Sequence, residues 1–281
     1  MSEISVFNRD HLRQQRKRAL QDFVRHGFLF EWASDQIIDR LQDIKKNFPV
    51  AYGIGNRTPK DFWVNLKSLK QIETLLVCDA VKGDIIADNE ILPFQENSAD
   101  LIISLLDLHT VNDLPGTLTQ IRRILKPDGL FIGCMLGGET LYELRETLMQ
   151  TDIEMSSGAS PRVAPFADTQ TAGALLQRAG FSLPVVDSEI IRASYQTMFN
   201  LMADLRGMGE SNILSSRKKT FTASGFFARA AEYYQRNFSE PDNRVTASFE
   251  IIFMIGWAPH ESQQKPLRRG SAEHSLSEFL K

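Results

Sequence analysis

A histidine and a carboxylate stand close together after an apolar run, where they could take part in acid–base chemistry. Asp107 and His109 follow Ala99–Leu106, a run that is apolar apart from Asp100 and Ser104. Histidine is a common general base because its ordinary pKa lies near neutral pH. Asp107 could orient the imidazole or face solvent, and His109 could instead cap or pack a helix. Both are candidate catalytic residues.

A glycine-rich turn and two acids could form a ligand-binding site. Gly53 and Gly55 follow a short apolar run, and glycine lets a backbone approach a ligand closely. Asp79 and Asp88 end two further runs, and Ser104 lies near the end of the next. Ligands of open α/β sheets bind beyond the carboxyl ends of the strands. Each of these residues alone also fits a tight turn or a helix cap. The site is indicated by their combination, since four successive predicted strands each end in such a residue.

The hydrophobic pattern predicts the α/β framework that must position these residues. Strands alternating with helices indicate one mostly parallel, doubly wound sheet over residues 48–258. The predicted strands are Pro49–Gly53, Ile72–Cys78, Gly83–Ala87, Ala99–Leu106, Leu130–Leu136, Val185–Ile191 and Thr246–Trp257, the last at or near the carboxyl-terminal edge. Helices are predicted at 9–26, 31–46, 113–125, 139–149, 168–180, 196–206 and 224–237, with Gly27 between the first two. Thr58-Pro59 is typical of a helix start, and 126–129 of a turn.

The composition is typical of a globular protein and argues against a nucleic-acid-binding or membrane-spanning chain. The chain has 281 residues, of which 42% are hydrophobic, and a net charge of -3, so the chain as a whole is not suited to binding nucleic acid. No apolar run reaches the about 18 residues expected of a membrane span. The pattern shows no metal-ligand spacing. We expect N-terminal helices at 1–47 packed on the domain, an α/β domain at 48–260 with a helical cover at about 195–240, and a flexible tail at 261–281.

Two further features carry more than one interpretation. The first predicted helix is rich in arginine, which is typical of a solvated face but could also dock an acidic partner. Met198, Leu201, Met202 and Leu205 share one helix face, which favours the core, although such a stripe could also cover a substrate opening.

Longer stretches resemble a known family. The segments 86–94 (IADNEILPF), 97–104 (NSADLIIS) and 121–129 (IRRILKPDG) resemble the middle of class I S-adenosylmethionine-dependent methyltransferases. Downstream, 108–115, 137–145, 159–163 and 207–212 resemble one branch, the methyltransferase-like assembly factors of respiratory complex I, of the arginine hydroxylase type. That branch is related to the malonyl-carrier-protein methyltransferases of biotin synthesis. The resemblance extends from about residue 6 to about residue 270.

The resemblance implies a seven-stranded, Rossmann-like class I fold with S-adenosylmethionine as the ligand. It implies cofactor contacts from Gly53, Gly55, Asp79, Asp88 and Ser104, with Asp79 matching the ribose acid and Asp88 the acid near the adenine. For the branch it implies action on an arginine of an iron–sulfur subunit near the quinone site, by hydroxylation rather than methylation. The expected location is the bacterial cytoplasm or the equivalent mitochondrial matrix.

The glycine loop departs from the family pattern of acid-x-Gly-x-Gly-x-Gly. Ala51 stands in the acidic position and Arg57 in that of the third glycine. The helix expected between the second and third strands is nearly absent, since three residues separate Asp79 from Gly83. Arg57 adds bulk and positive charge, and a buried arginine needs an anionic partner. The hypothesis is that Arg57 makes the pocket hostile to S-adenosylmethionine in its ordinary pose.

Two functions therefore stay open. Asp79, Asp88 and His109 favour an enzyme that binds S-adenosylmethionine and modifies a protein or small substrate. Ala51, Arg57 and the missing helix favour a non-catalytic assembly or binding protein that kept the fold and lost the cofactor.

Overall fold

The computed structural model describes residues 5–155 and 158–264. Within them, seven strands form one sheet in the order β3-β2-β1-β4-β5-β7-β6. The strands are β1 Val50–Ile54, β2 Thr74–Asp79, β3 Ile85–Ile86, β4 Ala99–Leu105, β5 Leu125–Leu136, β6 Ser182–Tyr195 and β7 Val245–Trp257. β1 to β5 pair in parallel, and β7 runs antiparallel to both β5 and β6. The mostly parallel, seven-stranded α/β fold is confirmed, with β7 one strand in from the β6 edge.

The helices pack on both faces of this sheet. They are α1 Arg9–Ala19, α2 Phe23–His26, α3 Phe28–Gln42, α4 Phe62–Lys70, α5 Leu114–Ile124, α6 Tyr142–Met155, α7 Thr169–Arg178, α8 Met198–Met208 and α9 Phe226–Phe238, with a 3-10 turn at Leu108–Thr110. None of the helices within the described ranges is long and apolar enough to cross a membrane. Residues 265–281 of the predicted tail lie outside the described residues.

Several predicted boundaries were wrong. The predicted helix 9–26 is two helices, because the chain turns after Ala19, where the Asp22 N–H donates to the Ala19 carbonyl. α3 begins at Phe28, directly after Gly27, rather than at 31. The predicted turn at 126–129 lies inside β5, where the pairing with β4 shifts register and Asp128 has a φ of 60°.

Two apolar clusters fill the space between the sheet and its helices. Leu101, Ile103 and Leu105 of β4 belong to one cluster, and Ile102 belongs to the other. Successive side chains of a strand point to opposite faces, so β4 is buried on both. This framework fixes the carboxyl ends of β1, β2 and β4 side by side, which is where the candidate residues lie.

Candidate functional site

The glycine turn after β1 is closely covered by side chains of the chain itself. A Cβ placed on Gly53 would lie 2.5 Å from the Trp63 ring. Gly55 has a φ of 86°, and a Cβ there would lie 3.0 Å from the Cγ of Asp107. Only glycine fits such a conformation at such short distances. The structure thus explains both glycines by packing against Trp63 and Asp107.

Asp79 organises the loops around the end of β2. Its Oδ1 accepts from the N–H groups of Val81 at 2.6 Å and Lys82 at 2.9 Å, and its Oδ2 accepts from the Asn56 N–H at 3.1 Å. The residue is buried. Because a carboxylate that accepts several backbone N–H groups is well satisfied, Asp79 acts here as a link between the loops after β1 and β2.

Asp88 pairs with an arginine of the first helix. Arg9 Nη2–H donates to Asp88 Oδ1 at 2.6 Å, and Arg9 Nη1–H donates to the Thr110 carbonyl at 2.8 Å. Burial alone would raise the pKa of Asp88, but the hydrogen bonds from Arg9 and from the Glu90 N–H hold that pKa below its usual value. Asp88 is therefore an anion already matched by a cation.

Asp107 lies in the interior between two arginines. Its Oδ1 forms an ion pair with Arg16 Nη1 at 2.6 Å, although the angles at this contact do not meet those of a hydrogen bond. The same Oδ1 accepts a hydrogen bond from Arg57 Nη2–H at 3.4 Å. Asp107 is 0% exposed and Arg16 1% exposed. Neither alternative considered for Asp107, orienting His109 or facing solvent, describes the structure. A catalytic role for Asp107 stays a prediction.

Arg57 points into the interior and makes four polar contacts there. It donates from Nη1 to Glu210 Oε1 at 2.5 Å and to the Met208 carbonyl at 3.1 Å. Its Nη2 donates to the Leu106 carbonyl at 2.9 Å, in addition to the bond with Asp107. Burial alone would lower the pKa of Arg57, but Glu210 and Asp107 raise it. The anionic partner that Arg57 requires is therefore Glu210.

Glu210 also binds the imidazole of His109. The distance from His109 Nε2 to Glu210 Oε2 is 3.1 Å, and the Leu136 N–H donates to Nδ1 at 3.5 Å. These partners assign the ring proton to Nε2, which donates to the carboxylate. Burial alone would raise the pKa of Glu210, but Arg57 and His109 hold it far below the usual range. One carboxylate thus joins the glycine loop to the candidate base.

Glu210 was missed in the sequence, although a signal existed. It lies in the segment 207–212, and a buried Arg57 without a preceding acid requires an anion from elsewhere. Ser104 was predicted, and it lies at the end of β4 beside Ile54. Its Oγ is buried without a hydrogen-bond partner among residues 5–155 and 158–264. A cofactor contact from Ser104 stays a prediction.

A cavity of about 270 Å³ opens beside His109 and Glu210. Its walls are mostly apolar and come from Leu141, from α6, α8 and α9, and from the segment 163–166: Leu141, Leu144, Leu148, Val163, Phe166, Met202, Leu205 and Phe227. Arg162, which pairs with Asp152, and Arg206 also line it. The segments 159–163 and 207–212 meet at its rim, where Asn212 Nδ2–H donates to the Pro161 carbonyl at 3.0 Å. The core interpretation of the apolar stripe on α8 is confirmed for Met198, Leu201 and Leu205. Met202 and Leu205 also line the cavity, and a role of the stripe as a cover over a substrate opening stays a prediction.

The cavity is separate from the predicted cofactor residues. Of the described residues that line it, none is Gly53, Gly55, Asp79, Asp88 or Ser104. Among residues 5–155 and 158–264, no group of three or more His, Cys, Asp or Glu side chains could hold a metal ion.

The groups at the carboxyl edge do not fit S-adenosylmethionine in this conformation. Asp79 is taken up by backbone N–H groups and Asp88 by Arg9. Asp107 covers Gly55, and the guanidinium of Arg57 lies buried beside it. A cationic ammonium placed at this end would meet Arg16 and Arg57, which carry the same charge sign.

The chain is similar in sequence to several known proteins. A family model described as a methyltransferase domain matches residues 64–133. The human mitochondrial arginine-hydroxylase NDUFAF5 is 41% identical over 291 residues, which covers 99% of this chain and 84% of that protein. The malonyl-[acyl-carrier protein] O-methyltransferase of Xylella fastidiosa (strain M23) is 35% identical over 175 residues, or 62% of this chain and 57% of that protein.

A solved structure shows the same architecture. Phosphoethanolamine N-methyltransferase 2 of Haemonchus contortus, in complex with phosphomonomethylethanolamine and S-adenosylhomocysteine, superposes with a TM-score of 0.51 at 14% identity. The match covers 89% of this chain and 61% of that one. At this identity the likeness shows the fold alone.

Proposed function

Because this chain belongs to the family of the arginine hydroxylase NDUFAF5, we propose that it modifies an arginine side chain of a protein during the assembly of respiratory complex I. The observation that carries this proposal is the cavity, since all four segments that resemble that branch contribute residues to its lining. The substrate would be a protein, and an iron–sulfur subunit of complex I is the proposed candidate.

The chemistry of the cavity suits an arginine side chain. Arginine combines a long apolar stem with a planar cation that pairs well with carboxylates. The walls contributed by Leu144, Phe166 and Met202 match the stem. The guanidinium would share the carboxylate of Glu210 with Arg57 and His109. His109 lies against the same carboxylate and would face the bound group.

The cofactor and the location belong to the same proposal. S-adenosylmethionine is the proposed ligand of the carboxyl edge, and since the residues there do not fit it in this conformation, no chemical step is assigned to it. The proposed place of action is the bacterial cytoplasm or the mitochondrial matrix, which the mitochondrial relatives support.

A second function is favoured by one observation. Of the two acids that would hold the cofactor, Asp88 is paired with Arg9 and Asp79 accepts from backbone N–H groups. A non-catalytic assembly protein would need the fold and the cavity as a docking site for its partner, without turnover.

Complementation of a deletion strain separates the two functions. The strain receives the wild type, Glu210→Gln, or the control Glu232→Gln, whose side chain is 69% exposed. The readouts are complex I activity and mass spectrometry of the arginine-containing peptides of its subunits. An enzyme requires that Glu210→Gln, at a protein level equal to that of the wild type, loses both the modification and the complex I activity. Activity restored without modification would support the non-catalytic function, and an arginine pattern identical in the deletion and wild-type strains would refute arginine modification.

A further inference from the structure

Helix α1 lies on the carboxyl edge of the sheet, where open α/β sheets bind their ligands. Arg9, at its first turn, reaches Asp88 beyond β3. Arg16, two turns later, reaches Asp107 beyond β4. Arg16 Nη2–H also donates to Thr110 Oγ1 at 3.1 Å. The helix thus spans the edge and places one cation at each end.

The segment before α1 is fixed by a separate set of contacts. The Phe7 N–H donates to Asn112 Oδ1 at 2.7 Å, and Asn112 Nδ2–H donates to the Phe7 carbonyl at 3.2 Å. The Asn8 N–H donates to the Ile213 carbonyl at 2.8 Å. These bonds hold the start of α1 without involving the acids of the cofactor edge.

The docked position leaves several buried polar atoms without hydrogen bonds. Within the described ranges these include Nε and Nη1 of Arg16 and Oδ2 of its partner Asp107. These atoms belong to α1 itself or to the acid that it covers, so they would regain hydrogen bonds with water if α1 moved away, and a buried polar group without a partner is costly. The docked helix therefore gains ion pairs from Arg9, Arg13 and Arg16 and apolar contacts from Leu12, but it is opposed by this desolvation.

We infer that docking of α1 and binding of S-adenosylmethionine at this edge exclude each other, so that α1 is an autoinhibitory strap. Arg9 takes up Asp88, the acid that the resemblance places near the adenine, and Arg16 adds positive charge beside Asp107. A ligand that binds only the undocked state shifts the equilibrium toward that state. By the same linkage, a substitution that weakens the docking of α1 raises the affinity for the ligand. This inference rests on the proposed cofactor, but not on the proposed arginine substrate.

The test uses the full chain and two substitutions that weaken the strap in different ways. Arg9→Gln removes the ion pairs of Arg9 with Asp88 and Glu90 and leaves Asp88 with the longer contact to Arg13. Asn112→Ala removes the bonds to Phe7 and leaves every charge at the edge in place. Lys17→Gln is the matched control, since it removes one charge from an exposed position of the same helix. Calorimetric titration with S-adenosylmethionine and with S-adenosylhomocysteine measures affinity, and hydrogen exchange measures the opening of residues 9–19.

We expect Arg9→Gln to bind both probes about tenfold more tightly than the wild type, which corresponds to about 1.4 kcal/mol. We expect Asn112→Ala to bind them at least about threefold more tightly, and Lys17→Gln to bind as the wild type does. Exchange at 9–19 should be faster in both strap variants without ligand, and faster in the wild type when ligand is added.

Three results would each overturn the inference. The first is a gain in affinity in Arg9→Gln alone, which would show charge repulsion without a strap. The second is slower exchange of α1 when ligand is added. The third is that hydrogen exchange at residues 9–19 becomes faster in both strap variants, but neither variant binds S-adenosylmethionine or S-adenosylhomocysteine. None of these results bears on arginine modification, which the complementation experiment tests separately.

Discussion

Arg57 and Glu210 form an ion pair at 2.5 Å, although 153 residues separate them in the sequence. The pair joins the loop after β1 to the loop after α8. Glu210 uses its other oxygen to bind His109. The third-glycine position of the methyltransferase loop is therefore occupied by a side chain that ties this loop to the rim of the cavity.

Removing one partner of this pair should strongly destabilise the protein. Arg57 and Glu210 have side chains that are 4% and 11% exposed, so Arg57→Met leaves a carboxylate buried with less compensation. We expect the free energy of unfolding to fall by about 3 kcal/mol, as measured by urea denaturation. The control is Arg229→Met, whose pairs with Glu154 and Glu232 are exposed, so its loss of stability should be much smaller. Similar losses in both variants would contradict the buried role of Arg57.

The pH dependence of stability should report Glu210. Its pKa in the folded protein lies below the ordinary value of 4.5, because Arg57 and His109 outweigh the effect of burial. A carboxyl with a lowered folded pKa contributes stability that is fully present above its unfolded pKa and is lost as the pH falls through the folded pKa. We expect Glu210→Gln to be less stable than the wild type at neutral pH but to lose less stability below about pH 4.5.

Urea denaturation midpoints at several pH values would check this expectation. Glu232→Gln is the control, because its carboxyl is exposed and it should keep the acid sensitivity of the wild type. If Glu210→Gln lost stability on acidification as steeply as the wild type, another group would be responsible.

The sequence predicted the framework because apolar runs and turn residues are local signals. β4 is one example, since a run apolar at nearly every position indicates a strand covered on both faces. It also predicted that a buried Arg57 needs an anion. The identity of that anion depends on tertiary packing, and nothing local to Arg57 indicates Glu210.

The site was harder to predict for the same reason. Asp107 and His109 are two residues apart, but the 3-10 turn at Leu108–Thr110 sends them to different partners. Asp107 faces the arginines, whereas His109 faces Glu210. The docking of α1 on Asp88 depends on contacts between residues 79 positions apart, and a basic helix by itself is typical of a solvated face.

The two cysteines should be unreactive in the folded protein. Cys78 and Cys134 are both fully buried, and burial raises the pKa of Cys78 to about 11 and that of Cys134 to about 12. The thiolate is the reactive form, so alkylation by iodoacetamide near pH 8 should be slow in buffer and complete in urea. Mass spectrometry counts the labelled thiols. Fast labelling of Cys78 in buffer would show that the end of β2 opens readily.

Filling the cavity should block the substrate without unfolding the protein. Met202 lines the cavity from α8 and is only half-buried, so a larger ring at this position can extend into the open volume of about 270 Å³. We expect Met202→Trp to reduce arginine modification in the complementation assay by at least about tenfold, the factor that about 1.4 kcal/mol of lost substrate binding produces. Its melting temperature should stay close to that of the wild type, because the ring enters space that no side chain fills. Phe199→Trp is the matched control, since Phe199 lies on the same helix and is 50% exposed. If Met202→Trp modified the substrate as well as Phe199→Trp does, the cavity would not be the place where the substrate binds.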